Sequence, residues 1–102
     1  MLKYRDQLVV DGNQNPLLKV NGASATAWQY TLATLSSLNY QVVSKADHGY
    51  EATIQIDKQN YLLKLSTAGT SNTIALFKLD TTFADPAVAT EVLTQISQNW
   101  PA

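Results

Sequence analysis

Tyr50-Glu51-Ala52-Thr53-Ile54-Gln55-Ile56-Asp57-Lys58-Gln59-Asn60-Tyr61-Leu62-Leu63-Lys64-Leu65 is the stretch that decides the fold. Its first half alternates, with Tyr50, Ala52, Ile54 and Ile56 on one side and Glu51, Thr53, Gln55 and Asp57 on the other. A period of two sends successive side chains to opposite faces, so this is a strand with one wet face. The polar turn Asp57-Lys58-Gln59-Asn60 is short, and Tyr61, Leu63 and Leu65 resume the alternation beyond it. Such a link joins antiparallel neighbours and leaves no room for a helical crossover. Upstream, Tyr40 to Lys45 is rich in β-branched and aromatic residues and breaks at Asp47-His48-Gly49. Downstream, a loop from Thr67 to Ser71 containing Gly69 leads into a run from Thr73 to Leu79. Four strands on short links form an antiparallel meander. In the last, Ile74 and Leu76 are apolar, and so are Ala75, Phe77 and Leu79, which predicts at least partial cover on both faces.

Helices flank the meander. Trp28, Thr31, Leu32, Leu35 and Leu38 follow a helical rhythm, while Gln29, Thr34, Ser36 and Ser37 fall elsewhere on the wheel. Ser24 or Thr26 is the expected N-cap, and Asn39, which tolerates the left-handed conformation, the expected stop. The helix is therefore expected from Ser24 to Leu38. Asp85-Pro86 opens a second helix, with Asp as cap and Pro at the first helical position. Ala89, Leu93, Ile96 and Trp100 form its apolar stripe, widened by Val88 and Val92, and Pro101 ends it. Before the first helix, Gln7 to Val10 and Leu17 to Val20 are short apolar runs separated by the turn formers Asp11 to Pro16. They form either a hairpin or an edge strand preceding the body. The expected order is β-β-α-β-β-β-β-α, a two-layer α+β domain with both helices on one face of the sheet. Residues 1 to 14 are a leader or edge strand, and residues 15 to 102 are one domain.

The 102 residues fit one domain and no more. Hydrophobic residues make up 45% and charged residues only 15%, which excludes a disordered tail. Seven Lys and Arg against eight Asp and Glu, dispersed along the chain, provide no phosphate-tracking stripe, so no nucleic acid is expected as a partner. Ser, Thr, Asn and Gln fill about a third of the chain in place of charge. That surface suits an envelope or secreted protein, and cold-adapted cytosolic proteins look alike. With no cysteine, disulfides, a thiolate zinc site and a thiol nucleophile are excluded, and one histidine cannot build a His-cluster metal site. No run reaches the roughly 18 apolar residues of a membrane span. Met1 to Asp6 lacks the apolar core of a signal peptide.

The residues with chemical capacity have plainer explanations. His48 in its turn reads as a solvated turn residue, because catalysis requires a nucleophile or an orienting acid held beside it. Glu51 and Asp57 lie about 20 Å apart along one strand, too far to act on one bond. Gly12, Gly22, Gly49 and Gly69 match no phosphate loop and read as turns. Tyr40, Tyr50 and Tyr61 lack the basic interleaving of a single-strand stacking platform and are expected in packing. Trp28 and Trp100 are expected to anchor the helices, or one of them to contact a partner from a groove. No catalytic, cofactor-binding or metal-binding residue is expected.

Pro16-Leu17-Leu18-Lys19-Val20-Asn21-Gly22, then Ala27-Trp28, then Leu35 through Leu38-Asn39-Tyr40-Gln41-Val42, resembles the repeated domain of the NlpB/BamC lipoproteins of the Gram-negative β-barrel assembly machinery. The likeness continues through Gly49-Tyr50-Glu51-Ala52-Thr53, Tyr61-Leu62-Leu63-Lys64-Leu65, Thr73-Ile74-Ala75-Leu76 and the final helix, Pro86 to Trp100. It implies a helix-grip domain, in which a long helix is held against a curved antiparallel sheet. It also implies a non-enzymatic accessory subunit that binds protein partners of the assembly complex. The resemblance places it at the outer membrane through an N-terminal lipid outside this chain, which would then be an excised domain. It brings no catalytic residues.

Partner contact is expected in the groove where a helix edge meets the sheet, or along an exposed strand edge at Leu17 to Val20. The residues singled out for contact are Trp28, Leu17, Val20, Tyr50 and Trp100. The alternative is a carrier of a small apolar ligand, held between the long helix and the sheet in a cavity of roughly 300 Å³ or more lined by Trp28, Tyr50, Ile54, Leu63 and Leu76.

Overall fold

In the computed structural model, which describes residues 7 to 101, the meander has the register its alternation sets. Met1 to Asp6, most of the expected leader's first half, and Ala102 lie outside the described residues. The elements are β1 (Gln7–Val10), β2 (Pro16–Asn21), α1 (Ser24–Ser37), β3 (Gln41–Lys45), β4 (Tyr50–Ile56), β5 (Gln59–Ala68), β6 (Ser71–Phe77) and α2 (Pro86–Gln98). They form an α+β domain in the order β-β-α-β-β-β-β-α, with one six-stranded antiparallel sheet ordered β1-β2-β6-β5-β4-β3.

Tight turns hold the meander together. Asp57 and Lys58 alone link β4 to β5, with φ of 49° and 71°. Positive φ at both central residues is the type I′ signature, whose twist matches that of the strands. Gly69, at φ 64°, begins the two-residue link from β5 to β6. The β1–β2 hairpin is closed by Asp11, whose Oδ1 accepts the N–H of Asn13 at 2.8 Å and that of Asn15 at 2.9 Å. The first two runs are thus a hairpin, and β1 is also an edge. β2, flanked by β1 and β6, is not an edge, so Leu17 to Val20 present no free ladder. The two edges are β1 and β3. β3 carries a register shift between Val42 and Ser44, an irregularity that blunts an edge against pairing.

Both helices cover one sheet face, α1 over β3 and β5 and α2 over β1, β2 and β6. The core between the layers centres on Leu18, Ile54, Leu63, Ile74, Leu76, Leu35, Leu93 and Ile96, all at 0% exposure. Each such side chain contributes about 1.5 to 3 kcal/mol on burial. Three expectations change in detail. The N-cap of α1 is Ala23, which makes no side-chain cap bond. Asn39 is not left-handed; the chain leaves α1 through an extended Leu38 at φ −106° and ψ 176°. Thr34 is buried, because its Oγ1 donates to the Tyr30 carbonyl at 2.7 Å, as Thr31 Oγ1 does to Ala27 at 2.8 Å. A hydroxyl satisfied within its own helix can enter an apolar interface. The expected cover on both faces of β6 is present: Ile74 and Leu76 lie under the helices, and on the other face Ala75 is buried while Phe77 meets Phe83 at 4.8 Å between ring centroids and lies 5.5 Å from the Lys64 Nζ. The second helix starts as its sequence dictates, with Asp85 Oδ1 accepting the Ala87 N–H at 2.8 Å and Pro86 at the first turn.

Candidate functional site

The expected contact residues do not converge on an open groove. Trp28 and Trp100 are each 8% exposed and belong to the core, Trp100 lying just past the end of α2 at Gln98. Trp28 meets Tyr50 at 6.1 Å between ring centroids, while Trp100 meets Tyr30 edge-on at 5.9 Å. Val20 is buried under the helices, and Leu17 points to the helix-free face. Of the five, Val20, Trp28 and Trp100 share one core against which Tyr50 packs, and Trp28 and Tyr50 are in ring contact. Ile54, Leu63 and Leu76 pack with Trp28 in the same core, and none of these residues lines any of the three hollows described next.

Those three hollows meet at Tyr40, where α1 ends and the sheet edge begins. One, of about 340 Å³, runs between Ser37 to Tyr40 and Glu91 and Gln95 of α2. A second, of about 350 Å³, lies against the end of α1 and the start of β3, from Leu35 to Val42. The third, of about 250 Å³, is walled by Ile56 and Asp57 of the β4–β5 turn and by Ala87, Val88, Glu91 and Val92. Together they form a furrow in which a helix edge meets the sheet, the kind of groove the sequence leads one to expect, at residues it does not single out.

Local chemistry explains the placement. Leu38 and Asn39 turn the chain out of α1 without a glycine, and Tyr40 enters β3 half-buried. The two-residue β4–β5 turn holds Asp57 at one end of the furrow. In α2, buried Val92 sets the helix rotation that leaves Val88 at the wall and Glu91 at the rim. Burial, then the negative charges of Glu91 and Asp57, push the Tyr40 phenol above its ordinary pKa. No lysine or arginine lines the furrow, and among the described residues neither carboxylate forms an ion pair. Nothing in the sequence marks these residues, since no periodicity says which turn of α2 will face which residue of β3.

The other polar groups are placed as structure. His48 is exposed in the 47–49 turn, and among the described residues no three His, Asp or Glu side chains gather to hold a metal ion. Glu51 faces its cross-strand partner Lys64 at 3.6 Å. Tyr61 donates its hydroxyl to Gln59 Oε1 at 2.8 Å. Among the described residues, no helix is long and apolar enough to cross a membrane. Compared with models of known protein families and with curated proteins, the chain matches none.

Proposed function

We propose that this chain is a non-enzymatic protein-docking domain, and that the furrow at Tyr40 is its docking surface. The observation that carries the reading is a solvent-open furrow with apolar walls at Ile56, Val88 and Val92, set where both helices meet the edge of the sheet. Concave apolar walls with a few polar groups on the rim suit side-chain anchors of a partner. The likeness of the strand–helix–meander–helix sequence to the NlpB/BamC domains names the setting. The domain belongs to an outer-membrane lipoprotein that assists assembly and insertion of β-barrel proteins, its membrane attachment being a lipid outside this chain. The element order agrees with that likeness.

Capture of purified β-barrel assembly components by the immobilised domain tests this reading. Retention of at least one component is expected, weakened when Tyr40 is replaced by Ala in a variant whose circular dichroism is unchanged. Retention of none, by either this domain or the full-length lipoprotein, overturns it.

A further inference from the structure

The furrow also specifies what it would take. Its walls are aliphatic at Ile56 and Val88, its centre is the half-buried ring of Tyr40, and its rim carries Asp57 and Glu91. Neither carboxylate has an ion-pair partner among the described residues, although Lys58 follows Asp57 in the turn. The remaining lining residues of the three hollows are neutral. A lysine or arginine side chain complements each part of this surface. Its methylene stem packs on Ile56 and Val88, its charged head reaches the carboxylates, and an aromatic face attracts the cation. An acidic or phosphorylated segment would meet uncompensated negative charge here, and like-charge juxtaposition suppresses such partners. Elevation of the Tyr40 pKa by the same two carboxylates agrees with their facing the furrow.

Resting on the docking reading above, we infer that the furrow at Tyr40 binds a segment of a partner protein that carries a basic residue flanked by aliphatic ones, with Asp57 and Glu91 receiving the charge. The test is titration of the isotope-labelled domain with two synthetic peptides, Leu-Arg-Val-Lys-Leu and its acidic counterpart Leu-Glu-Val-Glu-Leu. Saturable amide shifts at Tyr40, Ile56 and Glu91 are expected with the basic peptide only. The double variant Asp57→Asn, Glu91→Gln should weaken that binding by about tenfold or more. Asn suits a left-handed turn position and Gln matches Glu in helix propensity, so the variant keeps the fold. Equal binding of both peptides, undiminished binding by the double variant, no binding at millimolar peptide, or equally tight binding of free lysine amide would each overturn the inference. If the assembly components are captured equally by the parent and the double variant, docking stands and the basic-segment inference fails. If the basic peptide binds as expected and no component is captured, the furrow's chemistry stands and its assignment to barrel assembly fails.

Discussion

Asn72, at 0% exposure in β6, shows how much one buried amide can organise. Its Nδ2 donates to the carbonyls of Val20 at 3.0 Å and Gly22 at 2.9 Å, and its Oδ1 accepts from Thr67 Oγ1 at 3.1 Å. One side chain thus fastens the exit of β2, where Gly22 takes φ 114° and leads to α1, to the middle of the sheet. Asn72→Ala would strand those partners in a dry site, at a cost of about 1 to 3 kcal/mol. Asn72→Asp should cost at least as much, because a carboxylate would then face two carbonyl oxygens. Urea denaturation of the two variants beside the parent checks both expectations; an unchanged midpoint in either would show that the network contributes nothing. The sequence places Asn72 just before a strand and says nothing of its role, since the two carbonyls it binds lie about fifty residues away.

Among the elements, the two helices start differently. Asp85 caps α2 through its side chain, whereas α1 begins at Ala23, which has no side-chain acceptor, and carries no acidic residue in its first turn. Ala23 is exposed and extended, at φ −70° and ψ 136°, a conformation an N-cap aspartate adopts without strain. Ala23→Asp should stabilise the domain by about 1 kcal/mol, through a side-chain acceptor and a charge at the positive end of the helix. In a domain of this length that is a rise of about 4 to 8 °C in thermal midpoint, readable by calorimetry. A midpoint that did not rise would mean the first turn is already satisfied. Hydroxyls at Ser24 and Thr26 suggest a cap from sequence alone. The cap falls one residue earlier because the turn at Gly22, pinned by Asn72 and by the Gly22 N–H donated to the Thr70 carbonyl at 3.3 Å, sets where the chain enters the helix.

Over the whole molecule a formal net charge of −1 leaves little global repulsion near neutral pH, so pH dependence on the acid side comes from particular carboxylates. The Asn15 N–H, then that of Asn13, hold Asp11 below the ordinary aspartate value; the Thr82 hydroxyl and N–H do the same for Asp80. Each group binds its proton less readily in the folded chain than in the unfolded one. Their stabilisation is therefore complete above the ordinary aspartate range and is lost as pH falls through the lowered folded-state values. Denaturation midpoints measured from about pH 6 to about pH 2 should fall for the parent and fall less steeply for Asp11→Asn, Asp80→Asn. Identical slopes would remove these two turns as the source.

Local periodicity alone determined the eight elements, their order and the antiparallel meander, because alternation, helical stripes and turn formers act between residues close along the chain. It put Trp28 and Trp100 on apolar stripes, where the core holds them, but could not reveal that β2 is an inner strand, that Val20 is core, or that Tyr40, Asp57 and Glu91 share one furrow. Those facts depend on strand order and on the rotation of α2 against the sheet, which are settled by packing between segments far apart in sequence.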